Sequence, residues 1–299
     1  YAFLDADFLA ATQLLVYVVT VATSAFFVPH YLSIFWGPLN ENPWDIVGGA
    51  IVIVILVHAF YVGVVRPQGD AILAQQAAAL EKDKSAVTER SIYVLIYDWE
   101  QEAEIILALW AFAIMGFKWV TILRQRALLN QDFIPLAEGV RILPEDTREL
   151  ARQVQALPEQ QRRALLPRAL IAGLQRFHTT RSVQDVASAV HAYCDSEGER
   201  LESELSMIRY IAWAIPSIGF LGTVRGIGDA LSQAHQAIEG NIFGVTRSLG
   251  VAFNSTLIAL LASLLLMFIL HQLQLLQERF ILDTEDYCEE KLTQRLHAT

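Results

Sequence analysis

Two sets of small and hydroxyl-bearing residues recur at helical spacing in the C-terminal third of this 299-residue chain. Gly219, Thr223, Gly226 and Ala230 follow one another at steps of four, three and four, and Ala252, Thr256, Ala259 and Ser263 repeat the same steps. On an α-helix those steps place the four side chains on one face. Small residues let helices approach closely in lipid, and hydroxyls offer polar contacts where water is absent. Two uses fit such faces: plain helix–helix packing, or the lining of a central space filled by another helix, with Thr223 and Thr256 as polar contacts. Spacing alone separates neither from the other.

The apolar segments 46–65, 105–117, 210–224 and 248–277 contain no Asp, Glu, Lys or Arg. Ion-coupled membrane proteins usually keep an ionisable group inside the bundle, because it is costly there and survives only for function. A chain of this kind that moves protons takes its carrier from a partner; otherwise it moves nothing. Arg225 has three readings: snorkelling, pairing with Asp229 one turn on, or steering protons at an entrance. His58 has no acidic neighbour in its own apolar stretch and reads as a packing or hydrogen-bonding residue. His178, His191 and Cys194 share a region, but their spacing fits no zinc pattern, so no metal site is expected. Glycines 219, 222, 226 and 228 follow no strand and precede no Gly-Lys-Ser/Thr, which excludes a nucleotide loop. Asn254-Ser255-Thr256 matches a glycosylation sequon by letter only, since it falls inside a span. No nucleophile–base pair, paired carboxylates or cofactor motif emerges, so neither an enzyme nor a cofactor is expected.

The elements that carry these faces are membrane helices. Hydrophobic residues make up 54% of the chain and charged residues 18%, against about 25% charged in a soluble domain; the mean hydropathy is +0.37. A formal charge of −10 leaves no general electrostatic footprint for nucleic acid. Two cysteines, Cys194 and Cys288, make no disulfide framework. The chain opens at Tyr1 rather than Met, which allows for further residues upstream, and the C-terminal end is likewise open. No Lys or Arg precedes Arg66, so the first apolar stretch lacks the basic region of a signal peptide and reads as a span.

Five stretches reach the roughly 20 residues a bilayer requires: 8–28, 46–65, 103–123, 207–228 and 245–276. An aromatic belt of Tyr31, Phe35, Trp36 and Trp44 follows the first. Lys118 is close enough to the end of the third to snorkel towards Arg124 and Arg126. Basic residues flanking 124–206 place that loop, and the tail after 276, in the cytoplasm; five spans then put the N-terminus and the linker 66–102 outside. The loop reads as helices, with Val183, Val186, Val190 and Tyr193 at helical spacing and Pro144, Pro158 and Pro167 as helix starts or breaks. No strand pattern or repeat appears. The fifth span has no Gly or Pro after Gly250 and is expected to continue as one helix of about 45–50 residues, about 70 Å long.

Residues 215–231, IPSIGFLGTVRGIGDAL, resemble the signature helix of the MotA/TolQ/ExbB proton-channel family, and 252–260, AFNSTLIAL, resemble its second signature, A-L-x-x-T-x-x-G-[LI]. One span, a large cytoplasmic loop, two signature spans and a helical tail repeat the family layout from Ala103 onward. The resemblance implies a homopentamer around a dimer of an ExbD-, TolR- or MotB-like single-span partner. The partner's aspartate protonates and deprotonates next to the ring's threonines, and proton flow turns the ring. Thr223 and Thr256 match the family's threonines, and Pro216 matches the proline opening the first signature. Ala259 replaces the usual glycine, Val251 replaces the acid of ExbB- and TolQ-type members, and the tail lacks their Ala-Ile-Pro. The first two spans exceed the three-span plan.

The expectation is therefore an all-α integral membrane protein. It has an N-terminal span pair (1–65), a periplasmic linker (66–102), a third span (103–123), a cytoplasmic helical domain (124–206), two pore-lining spans (207–276) and a helical tail (277–299), with long helices extending from the last two spans. Its expected function is that of a proton-conducting ring subunit of a motor driven by the proton-motive force, in the bacterial inner membrane. Thr223, Thr256, Gly219, Gly226, Ala252, Ala259 and Ser263 line the proton pathway, and Arg225 and Pro216 serve an entrance or touch the partner. The alternatives are a specialised motor, such as a Zorya-like anti-phage system or a gliding machine, and a non-conducting membrane scaffold.

Overall fold

The computed structural model describes residues 43–82, 91–134, 141–238 and 242–297. The first expected span, 8–28, lies outside them. Among the described residues all regular structure is helical, apart from one isolated bridge between Ile142 and Leu296. In order come α1 (Pro43–Phe60), a π-helical turn (Tyr61–Val65), α2 (Arg66–Lys82), α3 (Ile92–Leu95), α4 (Trp99–Leu128), α5 (Thr147–Gln155), α6 (Glu159–Arg162), α7 (Leu165–Thr180), α8 (Val183–Glu204), α9 (Ser206–Ser232), α10 (Ala234–Ile238) and α11 (Phe243–Lys291). Among the described residues four helical stretches are long and apolar enough to cross a membrane: Gly48–Ala79, Trp99–Leu128, Val183–Ser232 and Phe243–Arg295. α11 is one helix of 49 residues, as the absence of Gly and Pro after Gly250 leads one to expect.

Two of the expected boundaries move, for the same reason. The helix does not end at residue 65 but runs through the π turn into α2, and α4 begins at Trp99 rather than at 103. Charges that look like a loop edge in the sequence are neutralised by partners: Arg66 and His58 both bind Glu102, at 2.8 and 2.7 Å. A paired charge need not leave the helix. Lys118 likewise does not snorkel; it forms an ion pair with Glu204, and its side chain is 13% exposed.

The chain divides into two compact units, Tyr1–Ala111 with Ile211–Leu264 and Phe112–Tyr210 with Leu265–Thr299. In the first, Val57, Tyr61 and Val65 bury one face of the first helical stretch against Ile96, Ile105 and Ile106. In the second, α5 packs on α7 and α7 on α8. Their core unites Leu150, Leu166, Leu170, Leu174, Phe177, Val186 and Val190 with Cys194, Cys288 and Leu292. Val186 and Val190 of the apolar stripe are buried, and Val183 and Tyr193 flank them. Ser182 caps α8 by accepting from the Asp185 N–H. Pro158 stands at the N-cap of α6, and Pro167 sits in the first turn of α7, where its missing N–H is harmless.

Candidate functional site

All the expected site residues fall in the first unit. The two small-residue stripes meet each other. A Cβ on Gly226 would stand 2.7 Å from the Ala252 nitrogen and from the Ser248 carbonyl oxygen, and one on Gly222 only 2.5 Å from the Ser255 side chain. The backbones of α9 and α11 thus touch where Gly219, Gly222 and Gly226 lie opposite Ala252, Ser255 and Ala259. Ala230 is buried as well.

Thr223 and Thr256 sit at the same contact. Their hydroxyls are hydrogen-bonded to each other. The Thr223 hydroxyl also faces the carbonyls of Gly219 and Ala252, both at 3.1 Å, and Thr256 faces the Gly219 carbonyl at 3.3 Å. Two hydroxyl protons are therefore shared among four oxygens, and both side chains are half-buried. Either hydroxyl can donate to the other or to a carbonyl, so the protons can be redistributed here without any group becoming charged.

Ser263 and Pro216 are linked by one bond. Proline has no N–H, so Pro216 inside α9 leaves the carbonyl four residues earlier without its helical donor. That carbonyl belongs to Ala212, and the Ser263 hydroxyl of α11 donates to it at 3.1 Å. A freed backbone carbonyl in a membrane helix is re-satisfied by a neighbouring hydroxyl.

Arg225 does not snorkel. Its Nε and Nη2 grip both oxygens of Glu100, at 2.5 and 3.0 Å, and Nη2 reaches Asp98 at 3.3 Å. Asp229 is 3.6 Å from Nη1, so the one-turn pairing also exists. Burial raises the Asp98 carboxyl above the usual range, while Arg225 pulls it down. His58 has an acidic partner after all: Glu102, which belongs to another helix.

Sequence reasoning missed the first turns of α4. Glu100, Gln101, Glu102 and Glu104 are all buried, with relative exposures of 0–2%. Glu100 and Glu104 are one turn apart and press on the glycine face of α9: the Glu100 Cγ lies 3.3 Å from a Cβ built on Gly222, and the Glu104 Oε1 3.3 Å from one built on Gly219. Gln101 donates to Ser255 at 3.1 Å. The signal was present in Trp99-Glu-Gln-Glu-Ala-Glu, an acidic run entering an apolar helix with Arg225 available elsewhere. His178 lies against Arg148 and the Pro144 carbonyl, and His191 against Glu285 and Asp195. Among the described residues no group of three or more His, Cys, Asp or Glu is arranged to hold a metal ion.

The helices define a multi-pass α-helical membrane protein. Residues 161–286 match the model of the MotA/TolQ/ExbB proton channel family, and the matched segment holds both threonines and the glycine stripe. No curated protein and no solved structure matches the chain.

Proposed function

We propose that the chain is the proton-conducting ring subunit of a motor driven by the proton-motive force in the bacterial inner membrane. Copies of the chain, five by the family resemblance, surround a dimer of a single-span partner. The partner's aspartate takes up and releases protons beside Thr223 and Thr256, and the ring turns as it does so. The segment 124–206 and the tail face the cytoplasm. Gly219, Gly226, Ala252, Ala259 and Ser263 shape the path, and Arg225 and Pro216 lie at its outer end and at its bend. The observation that carries this reading is the hydroxyl pair bracketed by the Gly219 and Ala252 carbonyls. It falls in a segment of a proton-channel family, on stretches 210–224 and 248–277 that contain no acid. A pair of hydroxyls with spare acceptors can follow a partner carboxyl through both of its charge states. The task of the motor, anti-phage defence or gliding among the options, is set by the partner.

A second reading, a non-conducting scaffold, has one observation in its favour: each threonine hydroxyl already has an acceptor within the chain. Proton flux into liposomes holding the chain with its co-purified partner separates the two. Thr223→Val and Thr256→Val preserve shape and remove the hydroxyl, so flux is expected to fall with the complex intact. Wild-type flux in both variants would overturn the pore-lining role, and no flux from any form would favour the scaffold.

A further inference from the structure

Three carboxyl groups enter the membrane bundle on α4, and they are treated differently. Glu100 is held by Arg225 at 2.5 Å. Glu102 is held by Arg66 and His58 at 2.8 and 2.7 Å. Glu104 is fully buried, and neither of its oxygens has a hydrogen-bond partner. Among the described residues no base forms an ion pair with it. The charged groups around it are already matched, Glu100 with Arg225 and Glu102 with Arg66. On α4 itself the Gln101 Oε1 is also buried and unpartnered. From the first helical stretch comes Tyr61, whose buried hydroxyl lacks a partner too and lies within electrostatic reach of Glu104. On α9 the Glu104 Oε1 lies 3.3 Å from a Cβ built on Gly219.

An isolated carboxylate in such a place is far less favourable than the neutral acid, so the group keeps its proton. Its position is not that of a bystander. The carboxyl rests against Gly219, and the Gly219 carbonyl lies within hydrogen-bond distance of both the Thr223 and Thr256 hydroxyls. Glycine at 219 is required first by Ala259, whose Cβ would lie 2.4 Å from an added Cβ, and the carboxyl Oε1 would lie 3.3 Å from it. Gly219 thus meets the hydroxyl pair through its carbonyl and a lone carboxyl at its α-carbon. Glu104 also lies outside the family-matched residues 161–286, so this acid is an addition to the matched segment.

We propose that Glu104 is a proton-binding residue of this chain, neutral at rest, through which protons pass on their way to or from the Thr223–Thr256 pair. In each passage the neutral acid becomes a carboxylate as its proton is relayed by way of the hydroxyl pair to the partner's carboxylate, which becomes the neutral acid. Each hydroxyl releases one proton as it takes one. Glu104 is then reprotonated from the water side, so one proton enters for each that leaves. The relay role rests on the conduction reading above, whereas the bound proton does not.

Infrared difference spectroscopy of the purified full chain with its partner, combined with proton flux in liposomes, tests both parts. At neutral pH the wild type is expected to show the carbonyl stretch of a buried protonated carboxyl, and Glu104→Gln is expected to lose it. Flux in Glu104→Gln is expected to drop about a hundredfold, the usual scale for losing a placed proton-transfer group. Glu104→Asp is expected to keep a shifted stretch and part of the flux, and it serves as the second variant should Gln fail to assemble. A wild-type spectrum without that stretch overturns the bound proton. Wild-type flux in an assembled Glu104→Gln complex overturns the relay alone. A wild type that passes no protons while retaining the stretch overturns the conduction reading and the relay, and leaves the bound proton supported.

Discussion

The Ser263 hydroxyl is worth more than its place in a small-residue stripe suggests. It donates to the carbonyl that Pro216 strips of its helical partner, so it repairs a defect in the other helix. Removing it leaves a buried carbonyl without a donor, at a cost of about 1–3 kcal/mol. Ser263→Ala is therefore expected to lower the thermal midpoint of the detergent-purified protein. The same substitution in a Pro216→Ala background, where residue 216 regains an N–H for Ala212, is expected to cost much less. Equal losses in both backgrounds would show that the serine acts some other way. Arg225 illustrates the limit of reading residues singly. The sequence favours snorkelling over pairing or steering because its main partners, Glu100 and Asp98, are more than a hundred positions away. Asp229, one turn on, was the only partner visible locally.

At the scale of elements, the α9–α11 contact was legible and the start of α4 was not. Steps of four and three on both helices identified Gly219, Thr223, Gly226, Ala252, Thr256 and Ala259 as one face each, because helical periodicity is a local property. What they face is not local, and the structure turns them on each other. Hydropathy draws a span from the first uncharged residue. It therefore excluded Glu100 and Glu102, whose burial depends on Arg225 and Arg66, and gave no role to Glu104 at the start of the span, buried against the glycine face of α9. The run from α1 through the π turn into α2 was lost for the same reason. Close contact between the helices makes a firm demand at Gly226, where a Cβ would stand 2.7 Å from two backbone atoms of α11. Backbone has no rotamer to give way, so Gly226→Val is expected to destabilise the protein by about 1–3 kcal/mol or more. Valine at Gly228, which meets nothing within 4 Å, is the control expected to stay close to wild type. A Gly226→Val protein with an unchanged thermal midpoint would show that the two helices do not meet as described.

At the scale of the whole molecule, the question is what covers the apolar surface that the chain leaves open. Trp213 is 78% exposed, Phe220 67%, Leu264 69% and Phe268 63%, and Ile55, Leu56 and Phe60 on α1 are also exposed. Acyl chains suffice for α1, which reads as an ordinary lipid-facing helix. They account less well for α9 and α11, where large apolar residues flank a hydroxyl pair and a buried carboxyl that need protection from lipid as well as from bulk water. Neighbouring copies and a central partner helix meet both needs, since they cover the bulky residues while leaving polar groups beside a protein surface. Extraction in mild detergent followed by native mass spectrometry is therefore expected to find several copies of the 33.4 kDa chain bound to a smaller single-span protein, five copies to two if the family layout holds. A partner recovered in that ratio should carry an acid within its span, placed to meet Thr223 and Thr256. A monomer would mean that lipid alone covers α9 and α11, and the threonines would then be packing residues. A ring without a partner would leave Glu104 as the membrane acid on which conduction must depend.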